Sequence, residues 1–118
     1  MATFKHFEIR VHGDVAELYL VDTSLFDVPQ YTEVQHELMD YVELHKPAGL
    51  IVNFDRISYA STALINGVLK AQNQLQALGG KLKLVGLRGS VHDAFHMLGL
   101  DVKVFSIYDR EADAIAAF

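Results

Sequence analysis

Gly49-Leu50-Ile51-Val52-Asn53-Phe54-Asp55, continuing through Arg56-Ile57-Ser58-Tyr59-Ala60 into Ser61-Thr62-Ala63-Leu64, is the stretch whose two periodicities decide the fold. Leu50 to Phe54 is almost continuously apolar, the pattern of a central strand covered by helices on both faces. From Ser61 the period changes. Leu64, Val68, Ala71, Leu75 and Leu78 recur at alternating four- and three-residue steps, the stripe of an amphipathic helix, and Gly79-Gly80 supplies its C-terminal stop.

Working outward toward the N-terminus, Phe7, Ile9 and Val11 alternate with Glu8 and Arg10, which predicts a half-buried strand. His12-Gly13-Asp14 reads as a turn, and the return strand runs from about Val15 to Val21. Asp27 precedes a helical face of Tyr31, Val34, Leu38, Tyr41 or Val42, and His45, which ends before Pro47. Toward the C-terminus, Leu82, Leu84 and Val85 predict a strand. Ser90 is the expected cap of a short helix whose core stripe is Val91, Ala94, Phe95 and Leu98, closed by Gly99 and followed by Leu100. A strand around Val102 to Phe105 and a helix from about Arg110 complete the order β-β-α-β-α-β-α-β-α. Strands alternating with helices imply right-handed crossovers and an α/β domain with a mixed, mostly parallel sheet, the opening hairpin adding antiparallel pairing at one side.

Composition narrows the function classes. At 118 residues, 51% of them apolar, the chain has enough for one core and is expected to be a single domain over 1–118. No run approaches the roughly 18 apolar residues of a membrane span, and the start MATFKHFEIRVHG lacks the apolar core of a secretory signal, so a cytoplasmic protein is expected. The absence of cysteine excludes disulfides, thiolate metal sites and cysteine nucleophiles. A formal net charge of −5 without a Lys/Arg block argues against nucleic acid as a partner.

Gly49 to Asp55 followed by Ile57-Ser58-Tyr59-Ala60-Ser61-Thr62-Ala63-Leu64, the stretch Ala77 to Gly86, and Val91 to Leu100 resemble the STAS domain of bacterial anti-sigma factor antagonists over most of the chain. In that family a strand ends in an aspartate followed by two hydroxyl residues and a glycine, and the first hydroxyl is phosphorylated by a partner kinase. The resemblance implies that Ser61 is that phosphoacceptor, with Thr62 the second hydroxyl, and that Asp27, in Phe26-Asp27-Val28-Pro29, matches the family's acidic residue between the second strand and the first helix. Asp27, Ser61 and Thr62 are then the expected partner-binding residues. Ala60 and Ala63 stand where the family has the aspartate and the glycine. The implied activity is partner switching without catalysis: the unmodified domain binds a serine kinase that is also an anti-sigma factor, and phosphorylation reverses this. The kinase brings ATP and magnesium, so no cofactor is expected here. A scaffold or adaptor that assembles with itself or related domains, never phosphorylated, is the alternative that Ala60 and Ala63 favour.

Two hydroxyls at the start of a helix have a simpler explanation, since Ser and Thr are preferred N-caps. Other signals are weaker. His92 and His96 lie four apart on a predicted helix, but Asp93 follows the first histidine where the zinc-protease pattern has glutamate, and the sequence offers no obvious third ligand. His6, His12, His36 and His45 are scattered and read as surface or boundary residues. Asp22, Asp27 and Asp55 fall near predicted strand ends and could form an acidic rim for magnesium, although caps and turns account for them as well. Gly79-Gly80-Lys81 lacks the remainder of a phosphate-binding loop. Asn66, Lys70, Asn73 and Gln74 are expected on the outer side of the long helix, where they could dock a partner or face water.

Overall fold

The computed structural model describes residues 7–20, 28–57, 60 and 62–118. In chain order the elements are β1 (Phe7–His12), β2 (Val15–Leu20), α1 (Val28–His45), β3 (Gly49–Asn53), α2 (Thr62–Ala77), β4 (Lys81–Val85), α3 (Gly89–Met97), α4 (Leu100–Lys103), β5 (Ser106–Tyr108) and α5 (Glu111–Ala116). They build an α/β fold on a five-stranded sheet ordered β1-β2-β3-β4-β5, with β1 antiparallel to β2 and every other pair parallel.

A strand order that rises steadily, joined by right-handed crossovers, delivers successive helices to one face of the sheet. Leu18, Leu20, Leu50, Val52 and Leu84 therefore meet Val34, Leu38 and Val42 of α1, Leu64, Val68, Ala71 and Leu75 of α2, and Val91 and Phe95 of α3 in the main core. Each of the Val, Leu and Phe side chains among them contributes about 1.5–3 kcal/mol on burial. Phe95 sits between Phe54 and Phe105, edge-on to both at 5.7 Å. Helices α1 and α2 approach closely because Gly67 faces Gln35; a Cβ there would lie 3.1 Å from the Gln35 Cβ. The opposite face receives α5, where Val15, Ile51, Val85 and Ala114 form a smaller core. Ile51 is thus buried on the face away from α1 and α2, as the continuous apolar run of β3 predicts.

The stop at Gly79-Gly80 takes the form of a Schellman motif. The Gly80 N–H donates to Leu75 O at 2.9 Å and the Gly79 N–H to Gln76 O at 3.0 Å, with Gly79 at φ +85°, a conformation glycine adopts without strain.

Several expectations are corrected. Of the alternating residues of β1 only Phe7 is buried; Ile9 and Val11 are 38% and 67% exposed, because β1 is the sheet edge. Leu78 and Leu98 fall in the turns that end α2 and α3 and are also exposed. The cap position of α3 is Arg88, with extended backbone, and Ser90 lies inside the first turn. Residues 102–105 are not a strand: α4 takes Leu100–Lys103, and β5 begins at Ser106. Gln74 is only partly exposed, because its amide donates to Met39 O and to Glu43 on α1.

Candidate functional site

The carboxyl ends of β3, β4 and β5 are tied into one rim. Phe54 N–H donates to Val85 O at 2.8 Å, and Gly86 N–H donates to Tyr108 O at 3.1 Å. The Asn53 side chain turns the chain out of β3 by accepting the Asp55 N–H through Oδ1 at 2.8 Å. Ile57 N–H then closes a turn onto Phe54 O at 2.9 Å, and Ile57 and Ala60 are buried.

Asp55 occupies the space that Gly86 leaves. At φ +77° Gly86 is left-handed, and a Cβ on it would lie 2.3 Å from Asp55 Oδ1 and 3.0 Å from Asp55 N. Arg88 holds the same residue from outside, its guanidinium 2.9 Å from Asp55 O and 3.5 Å from Oδ1. The loop that feeds α2 is thus fixed to the loop after β4. Arg56, next along, pairs with Glu8 at 3.4 Å and lies 5.5 Å from the Tyr19 ring centre.

Thr62 is the first residue of the 16-residue α2 and is exposed, while Ala60 is 6% exposed. The first turn of such a helix has unpaired N–H groups and a partial positive charge, which favour an anionic group on a hydroxyl there. Ser61 and Asp27 lie outside the described residues, as does Asp22 of the acidic rim. Asp55, the described member of that rim, is engaged by Arg88. His92 and His96 are exposed on α3 with nearly parallel rings 6.4 Å apart. His96 Nδ1 lies 2.8 Å from Asp101 Oδ2, and this hydrogen bond raises the His96 pKa and lowers that of Asp101.

A second polar region lies on the face covered by α5. Glu17 is fully buried there, with Oε2 accepting from Asn53 Nδ2 at 3.0 Å and Oε1 lying 3.0 Å from His12 Nε2. His12 Nε2 is also 3.6 Å from Glu111 Oε1 at the start of α5, while the Tyr19 hydroxyl donates to Glu111 Oε2. Burial, with the Glu111 hydrogen bond next, pushes the Tyr19 pKa well above its ordinary value and keeps the phenol a donor. Arg10 lies over the Tyr19 ring at 4.6 Å. Sequence reasoning missed this cluster, because Glu17 sits in a strand whose other face is core and Glu111 is distant in the chain. The one available signal was the polar series His12, Glu17, Tyr19, which continues on one face of the hairpin.

The family model for the STAS domain matches residues 6–114. No curated sequence relative matches the chain. An anti-sigma factor antagonist from Mycobacterium paratuberculosis superposes with a TM-score of 0.81 at 17% identity, over 94% of this chain and 91% of that one. The anti-sigma factor antagonist SpoIIAA in its unphosphorylated form gives 0.69 at 18% identity, over 94% and 96% of the two chains. The Bacillus cell fate determinant SpoIIAA in its phosphorylated form gives 0.69 at 19% identity, over 94% and 97%. At these identities the superpositions speak for the fold, whereas the family match spans nearly the whole sequence. The chain belongs to the STAS domain family.

Proposed function

We propose that this STAS domain is a cytoplasmic regulatory module that acts by binding another protein: a serine kinase that doubles as an anti-sigma factor. Ser61 is the phosphoacceptor, Thr62 the second hydroxyl, and Asp27 a group facing the partner. The observation that carries the reading is the passage from a buried Ala60 to an exposed Thr62 at the first turn of α2, with Ser61 between them in sequence. Support also comes from SpoIIAA, a structural neighbour known in unphosphorylated and phosphorylated forms. A phosphoryl group adds roughly −1.5 to −2 charges at neutral pH. The helix N-terminus tolerates that charge within the domain, whereas a partner surface shaped for a neutral hydroxyl must desolvate it. Binding therefore weakens on phosphorylation and recovers when phosphate is removed.

A second reading draws on the same Ala60. Its methyl group is packed where the family pattern has a carboxylate, so the site has one charge fewer with which to meet a kinase and its magnesium-bound nucleotide. In this reading the domain is a constitutive scaffold that assembles with itself or related domains. Intact-mass analysis and site mapping of protein purified from its own cells, with whatever co-purifies, separates the two. Phosphate on Ser61, with a kinase retained by Ser61→Ala and lost by Ser61→Asp, is the expected result. Protein free of phosphate in every growth condition, with partner binding indifferent to both substitutions, would overturn the switch in favour of the scaffold.

A further inference from the structure

His12, Glu17 and Glu111 come from the two ends of the chain and meet under the N-terminus of α5. One donor atom from each lies within 4.8 Å of the other two. We propose that these three residues form a binding site for a divalent transition-metal ion of the zinc class, with water completing the coordination.

Three features of the cluster support this. The first is spacing: zinc bonds of 2.0–2.2 Å in a tetrahedron put neighbouring donor atoms about 3.3–3.6 Å apart. His12 Nε2 is 3.0 Å from Glu17 Oε1 and 3.6 Å from Glu111 Oε1, two of the three edges close to that spacing, and the third is no longer than 4.8 Å, so a small adjustment of the partly exposed Glu111 side chain would seat the ion. The second is the support behind each carboxylate. Asn53 holds Glu17 Oε2 and Tyr19 holds Glu111 Oε2, so the other oxygen of each is directed at the imidazole. Metal ligands are characteristically oriented by such outer hydrogen bonds.

The third feature is the proton inventory. A single Nε2–H can satisfy one carboxylate oxygen well, and here two converge on it, one from a Glu17 that is fully buried. A neutral imidazole with two carboxylates totals two negative charges, which a divalent cation balances in full. The nitrogen donor favours zinc-like ions over magnesium or calcium, which prefer all-oxygen sets. His12 and Glu111 retain about 30% side-chain exposure, which leaves a path for the ion and room for water. Bound there, the ion would clamp α5 to the β1–β2 hairpin.

The test is calorimetric titration of the full chain with zinc and, separately, magnesium, together with the visible spectrum of the cobalt-substituted protein. The expected result is one equivalent of zinc, preferred over magnesium, and a cobalt spectrum typical of four-coordination. His12→Gln and Glu111→Gln should each weaken zinc at least tenfold, and Tyr19→Phe by about 10–100-fold through lost support. The double variant His92→Gln/His96→Gln controls for the exposed histidine pair and should bind as the parent does. Retention of the zinc equivalent by His12→Gln, or its loss in the His92/His96 variant, would overturn the assignment. So would the absence of heat and of cobalt colour at millimolar metal. Imidazole NMR of the unsubstituted protein decides the matter even where a variant fails to fold: zinc must move the His12 resonances before those of His92 and His96.

Discussion

Replacing Gly86 with alanine tests how the loop that enters α2 is held, and Gly13 provides the matched control. Both glycines have positive φ, +77° and +65°, but a Cβ on Gly13 meets nothing within 4 Å among the described residues, whereas one on Gly86 would meet Asp55 at 2.3 Å. Forcing an L-residue into the left-handed region costs about 1–2 kcal/mol, and the stiffer unfolded chain returns about 0.4–1 kcal/mol. Gly13→Ala should therefore destabilise by about 1 kcal/mol. Gly86→Ala bears the same cost and must also displace Asp55. That sacrifices the exposed ion pair with Arg88, worth about 0.2–1 kcal/mol, and strains the Asp55 N–H bond to Asn53, worth about 0.5–1.5 kcal/mol. The total is about 2–3.5 kcal/mol. Urea unfolding by linear extrapolation reads both variants, with an unchanged m-value as the check that only stability moved. Adding Asp55→Ala to Gly86→Ala should recover about 1 kcal/mol by removing the carboxylate. Equal destabilisation by Gly13→Ala and Gly86→Ala, within about 0.5 kcal/mol, would refute the Asp55 contact as what fixes the loop.

Phe95→Ala should cost about 3–5 kcal/mol in the same urea assay, because the ring is fully buried between Phe54 and Phe105; a loss under 1.5 kcal/mol would mean this core collapses freely around the gap. Gln72 is buried and donates to Val104 O at 3.0 Å, so Gln72→Leu should remove that bond and cost about 0.5–1.5 kcal/mol, with faster amide exchange through α4 as the local signature. His96 should titrate by imidazole NMR above 6.5 and Asp101 below 3.8, with Asp101→Asn returning His96 toward 6.5. The raised His96 pKa contributes stability fully present below 6.5 and lost as pH rises through its folded value. The lowered Asp101 pKa contributes stability present above 3.8 and lost as pH falls through its folded value. An unchanged His96 midpoint in Asp101→Asn would contradict the pairing.

The elements most legible from sequence were those whose environment is uniform along their length. β3 is buried throughout, so its apolar run needed no assumption about neighbours, and the Leu64, Val68, Ala71, Leu75 stripe of α2 follows the helical period against one face of the sheet. The β1 residues Ile9 and Val11 misled because alternation reports that a strand has two faces, not that a helix covers the inner one. Val102 to Phe105 misled because a short apolar run fits a strand and a helical turn equally well. At the candidate site, Thr62 at a helix start was readable from the change of period. The Asp55–Gly86–Arg88 lock was not, since its parts come from separate loops. Nor was the burial of Glu17, which depends on α5 folding back over the sheet.

That last dependence has a consequence for synthesis on the ribosome. Tyr19 and Glu111 are 92 residues apart. At 5–20 residues per second, the β1–β2 hairpin waits about 5–18 s for α5 to be made. During that interval Val15, and Ile51 once it is made, lack the cover of Ala114, and the carboxylate of Glu17 can remain hydrated. The outer face of the nascent sheet is therefore open to chaperone capture or misassembly until α5 has been translated.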